Sequence, residues 1–110
     1  MKPALILLLA VASLACDIEQ SAYHIDRGSQ LASRGKYEEA MAEYRKAREL
    51  NPKWAAPSVE LGNVLRNLGK FEEAATEYRQ ALAVEATNAD AKAGLAECLK
   101  AIELQRGAPK

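Results

Sequence analysis

Residues 28–47, GSQLASRGKYEEAMAEYRKA, return thirty-four positions later as residues 62–81, GNVLRNLGKFEEAATEYRQA. At that offset Gly28 meets Gly62, Leu31 meets Leu65, and Gly35-Lys36 meets Gly69-Lys70. Glu38-Glu39-Ala40 meets Glu72-Glu73-Ala74, Glu43-Tyr44-Arg45 meets Glu77-Tyr78-Arg79, and Ala47 meets Ala81, with Tyr37 against Phe71. Adding Ala22 against Ala56 gives twelve identities in one register, where chance would leave about two. A period of this length belongs to stacked supersecondary units, each of which buries its apolar face only against a neighbour.

The composition says which units. The 110 residues are rich in Ala, Leu, Glu, Lys and Arg and poor in aromatics, and every β-branched residue stands apart from its own kind. That bias favours helix and leaves no segment that reads as a strand. The class expected is all-α. Fifteen Lys and Arg balance fifteen Asp and Glu, so the chain lacks the clustered basic excess that nucleic acid requires. Two cysteines, Cys16 and Cys98, and one histidine, His24, provide no converging ligand set for a metal, and no glycine-rich phosphate loop is present. The adjacent acids Glu38-Glu39 and Glu72-Glu73 recur with the repeat, and neighbours on a helix point in different directions. They read as solvated faces. No enzyme and no cofactor is expected.

The repeated residues carry a family resemblance. The chain resembles a tetratricopeptide-repeat (TPR) protein: Gly28, Gly35, Tyr37, Ala40, Tyr44, Ala47 and Pro52 stand at the family's signature positions in a first repeat, residues 21–54. Gly62, Gly69, Phe71, Ala74, Tyr78 and Ala81 do so in a second, residues 55–88, where Leu61 completes a Leu-Gly pair. His24 and Ser58 replace the family's early Trp, and Ala86 replaces the closing Pro of the second repeat. The resemblance implies antiparallel helix pairs, A and B. Gly35 and Gly69 then end A helices in a left-handed conformation, and Gly28, Gly62 and Ala96 are small so that A and B approach closely, with Ala40 and Ala74 facing them. Tyr37, Tyr44, Phe71 and Tyr78 fill the gaps between hairpins. Asn51 is expected to cap the second A helix with Pro52 at its first position, and Thr87 with Asp90 to form a capping pair before the third.

Residues 89–106 read as a third A helix that caps the stack, with Leu95, Cys98, Leu99 and Ile102 as one apolar stripe, and residues 107–110 as a tail. The expectation is a short solenoid of five helices, two and a half repeats.

The N-terminus reads differently. Lys2 is followed by the uncharged run Ala4–Ala15, ALILLLAVASLA, too short to span a bilayer, which takes roughly 17–25 residues. A charged start, a short apolar core and small residues at the end are a secretory signal peptide, residues 1–15. Ser13-Leu14-Ala15-Cys16 resembles a bacterial lipobox, with Ser13 where Leu is favoured. The resemblance implies acylation of Cys16 and a membrane-tethered lipoprotein with residues 16–20 as a short extended tether. Asp17 resembles an inner-membrane retention signal. Ordinary signal peptidase would also accept Ser13 and Ala15, leaving a soluble periplasmic or secreted binder, and a Cys16–Cys98 disulfide would have to join the two ends of an elongated stack.

TPR stacks hold peptides or helices on the face made by the A helices. The resemblance puts that groove at Ile25, Ser29, Ala32 and Ser33, then Val59, Asn63, Arg66 and Asn67, then Ala93, Glu97, Lys100 and Ala101. Asn amides can hold a peptide backbone and Arg can fork onto a carboxylate. The positions at which some TPR domains clamp a C-terminal carboxylate are Ile25, Ser29, Glu60, Asp90 and Gly94, none of which suits an anion. The expected function is protein–protein interaction in the bacterial cell envelope, as a tethered adaptor or assembly factor. A soluble chaperone-like binder and a weak homodimer joined by an exposed apolar edge are the alternatives.

Overall fold

The computed structural model describes residues 3–107. Five helices follow in order: α1 (Pro3–Ser33), α2 (Tyr37–Leu50), α3 (Ala56–Asn67), α4 (Phe71–Val84) and α5 (Ala89–Gly107). Each packs on the next, and α3 also touches α5. Nearest-neighbour stacking of this kind makes a solenoid rather than a bundle around one core, and the all-α, two-and-a-half-repeat architecture is the one expected.

The repeat glycines make the hairpins. Gly35 and Gly69 both have φ +77°, a conformation glycine adopts without steric cost. Around Gly35, its own N–H donates to the Ala32 carbonyl at 3.0 Å and Lys36 N–H to the Leu31 carbonyl at 2.9 Å. Gly69 and Lys70 repeat the pattern onto Arg66 and Leu65. This paired closure satisfies carbonyls that a helix end would otherwise leave unpaired. The core that results is made of Ala40, Met41, Tyr44, Leu61, Val64, Leu65, Ala74, Ala75, Tyr78, Ala81, Ala91 and Cys98. Tyr37 and Phe71 pack against it half-buried.

Several local expectations are corrected. Asn51 closes α2, its N–H donating to the Ala47 carbonyl at 3.0 Å, and α3 does not begin until Ala56, with Pro57 in its first turn. The residue before a proline is pushed away from helical geometry, and Asn51 at φ −141°, ψ 79° belongs to a turn rather than a helix start. Before α5 the cap is Asn88, not Thr87: Asn88 Oδ1 accepts the Ala91 N–H at 2.9 Å. The nearest neighbours of Gly28 and Gly62 are the rings of Tyr44 and Tyr78. The buried stripe of α5 is Ala91, Gly94 and Cys98, and Leu99 lies 42% exposed. Residues 16–20, expected as an extended tether, are helical and continuous with α1. Cys16 is exposed and Cys98 buried, both as free thiols.

Candidate functional site

The A-helix face is built on a repeated device. Tyr44 and Tyr78 rise from α2 and α4 into notches that only glycine leaves open. A β-carbon at Gly28 would stand 2.6 Å from Tyr44 Cε1, and one at Gly62 2.7 Å from Tyr78 Cε1, well inside the ~3.5–4.0 Å of carbon contact. Each hydroxyl then reaches the residue after the glycine. Tyr44 Oη lies 3.3 Å from Ser29 Oγ, and Tyr78 Oη donates to Asn63 Oδ1 at 2.6 Å. Burial pushes the Tyr78 hydroxyl up to about 12, Arg66 opposing and Cys98, Glu97 and Glu60 adding. It therefore remains a donor throughout the neutral range.

The predicted groove residues divide into three groups. Val59 is 6% exposed and part of the core, and Ile25 is half-buried against it. Packing turns Val59 inward and leaves it little surface with which to line a groove, whereas Ile25 on α1 keeps part of its side chain at the surface. A second group is brought together but engaged: Asn63 holds Tyr78, and Arg66 Nη1 donates to Glu97 Oε2 at 2.9 Å, tying α3 to α5. Asn67 and Lys100 form the third group and present themselves on the surface, as does Ser29, whose hydroxyl is shared with Tyr44. Next to Asn63, burial pushes the Glu60 carboxyl above its ordinary value, with the Asn63 amide working against it and Asp90 adding. From the sequence the two tyrosines read as space-fillers alone. Their role was signalled by the fixed spacing of Ser29 to Tyr44 and Asn63 to Tyr78 in both repeats.

The sole histidine is also committed. His24 Nδ1 lies 2.6 Å from Glu43 Oε2, and Arg27 Nε and Lys46 Nζ stand 3.7 and 3.5 Å from Glu43 Oε1. The arrangement joins α1 to α2 and uses up the only imidazole. Between repeats, Arg48 Nη1 donates to Glu77 Oε2 at 2.7 Å, so the repeat's own glutamate is the anchor in both units.

A TPR-repeat family model matches residues 28–66 and again residues 62–101. The chain belongs to the TPR-repeat family. In TPR terms, α1 and α2 are the first hairpin, α3 and α4 the second, and α5 a third A helix with no B helix after it among the described residues. Among solved structures, the chain is similar to the second TPR of Spaghetti (RPAP3) bound to the HSP90 peptide SRMEEVD, with a TM-score of 0.79 and 20% identity over 86% of this chain and 87% of that one. At that identity the likeness is one of TPR fold. No curated protein matches the chain in sequence.

The start of the TPR stack is closed by polarity. Tyr23, Asp26, Arg27, Gln30, Leu31 and Arg34 line an open groove of about 370 Å³ on α1. One period on, the same positions are Pro57, Glu60, Leu61, Val64, Leu65 and Leu68, mostly buried in the second unit. A terminal repeat needs a polar outer face of this kind to stay soluble.

Proposed function

We propose that this TPR protein is a non-enzymatic interaction module of the bacterial cell envelope, a lipoprotein adaptor or assembly factor anchored through acylated Cys16. Its A-helix face takes up a peptide or helix of a partner protein. The observation that carries the reading is the division of α1. From Ser21 onward it is built into the hairpin, with Ser21 Oγ donating to the buried Ala47 carbonyl at 2.8 Å. Before that, Ile6, Leu7, Leu9, Val11, Leu14 and Ile18 are all exposed, an apolar segment for which the repeat core has no use. Removal of residues 1–15 accounts for such a segment, and Cys16 is accessible for modification. The helix continues through residues 16–20, so at 1.5 Å per residue Ser21 stands roughly 8 Å along the axis from the anchor. Acyl chains contribute about 0.8 kcal/mol per buried CH₂, and two or more hold a protein stably.

The similar RPAP3 TPR is bound to an acidic peptide ending in Asp. Here Glu60 stands where the carboxylate-clamp resemblance has an Asn and Asp90 where it has a Lys, so a peptide of that chemistry is disfavoured. The ligand is one that uses the amide of Asn67 and the ammonium of Lys100, with Arg66 held in place by Glu97. Intact mass of the mature protein from membrane and soluble fractions tests the anchor: N-terminal Cys16 bearing acyl chains is the expected result. Unmodified Cys16 in the soluble fraction would leave the unanchored periplasmic binder. Cross-linking in the native envelope tests the groove, with Asn67→Ala expected to reduce partner capture without changing the helical signal.

A further inference from the structure

One face of α5 stands uncovered, and the repeat register states what belongs on it. In the first unit α2 seats on α1 at Ser21, which holds the Ala47 carbonyl, at His24, which holds Glu43, and at Gly28, which admits Tyr44. Two periods on, these positions are Ala89, Lys92 and Ala96, and Leu99 takes the place of Leu31 and Leu65. All four are exposed. Leu99 is 42% exposed where Leu65 is 6%, because no B helix among the described residues lies over it. Nor does the chain turn back to supply one among the described residues. The reversing glycines Gly35 and Gly69 correspond to Glu103, and α5 runs straight past it to Gly107.

We propose that this face is a docking site for an acidic amphipathic helix of another protein, seated as a third B helix. The interface would continue the one that α2 and α4 already make with α1 and α3. Two residues define the occupant. Lys92 stands where His24 receives Glu43, so the cation calls for a carboxylate at the same register of the incoming helix. Ala96 carries the β-carbon that Gly28 and Gly62 lack, and such a carbon would stand 2.6–2.7 Å from a tyrosine ring in that register. The occupant therefore has a small residue where α2 and α4 have Tyr44 and Tyr78. That requirement rules out exchange of this chain's own B helices between copies. Antiparallel pairing of two α5 helices about Ala96 is opposed as well, since it would set Lys92 against Lys100 of the second copy.

The test uses labelled peptides of the α4 sequence, residues 71–84, which are net acidic, and the full chain, read by fluorescence anisotropy. The peptide with Tyr78→Ala is expected to bind. Lys92→Glu and Leu99→Asp in the protein should each weaken it about tenfold, equivalent to roughly 1.4 kcal/mol, while Lys53→Ala, at an exposed position between α2 and α3, leaves it unchanged. The unsubstituted tyrosine peptide should bind at least about tenfold more weakly and recover on Ala96→Gly. Circular dichroism of each variant confirms that the repeats remain folded. Absence of binding at millimolar peptide, or binding indifferent to Lys92→Glu and Leu99→Asp, overturns the proposal. So does a concentration-dependent dimer of the chain in sedimentation that Leu99→Asp abolishes, which would give the face to a second copy.

Discussion

Gly94 of α5 gives the Tyr78 ring the room it occupies: a β-carbon at Gly94 would stand 2.6 Å from Tyr78 Cε1, while Gly62 abuts the same ring from α3. One side chain from a B helix is thus clasped by two A helices, and the second repeat is keyed to the third helix through it.

Replacing Gly94 by Ala tests the clasp. Alanine favours helix over glycine by about 1 kcal/mol, but overpacking a fixed core typically costs about 1–3 kcal/mol. The ring has little room to retreat, since Gly62 abuts it as well. Gly94→Ala is expected to lower unfolding stability by about 2 kcal/mol in urea titration. A gain in stability would mean that the ring moves freely.

The Tyr78 hydroxyl has its own signature. Its folded pKa of about 12 lies above the ordinary 10.0, so the folded state holds the proton more tightly than the unfolded one. The stabilisation is complete below about pH 10 and is lost as pH rises from there toward 12. Burial pushes the Tyr44 hydroxyl up as well, so ultraviolet titration should show two tyrosines ionising late, and Tyr78→Phe should remove one of them. The same change should cost about 1 kcal/mol by leaving Asn63 Oδ1 without its 2.6 Å donor.

Glu43 predicts the acid limb. Burial pushes its carboxyl up, but the hydrogen bond with His24 and the charges of Lys46 and His24 outweigh it and leave the carboxyl below its ordinary 4.5. A depressed carboxylate contributes stability that is present above the unfolded value and is lost as pH falls through the folded one. Thermal melts below about pH 4.5 should therefore fall more steeply for the native chain than for Glu43→Gln, which should be less stable at pH 7.

The turn glycines give a simpler expectation. Gly35 and Gly69 each have φ +77° with nothing within 4 Å of an added β-carbon, so any penalty is conformational rather than steric. Gly69→Ala should cost about 1–2 kcal/mol, and Gly69→Asn, which tolerates the left-handed region better, should cost less. Equal losses for Ala and Asn in chemical denaturation would contradict this origin.

The repeat was legible because its residues act locally. Gly35 and Gly69 end helices, the twelve identities set the period, and the apolar spacing turns each helix toward its neighbour, so fold class and helix count followed from residues 28–47 and 62–81. The groove was legible only in part. Val59 and Asn63 lie one helical turn apart on α3, yet Val59 is core and Asn63 holds a tyrosine. Register says which residues share a face of a helix, and only the angle at which α3 meets its neighbours says how far that face turns inward.

The same limit explains Gly94 and Arg66. In sequence Gly94 carries no packing signal inside its helix, and periodicity points instead to Ala96 as the small residue of the third unit. The sequence by itself determined an all-α repeat of thirty-four residues, its two glycine turns and an N-terminal run unlike the rest. Tertiary structure alone decided that Tyr78 needs Gly94, that Arg66 is held by Glu97, and that Leu99 has no helix over it. Helix and turn depend on contacts a few residues apart, whereas these three relationships arise where helices meet, between positions sixteen or more residues apart or, for Leu99, from a partner that the described chain does not provide.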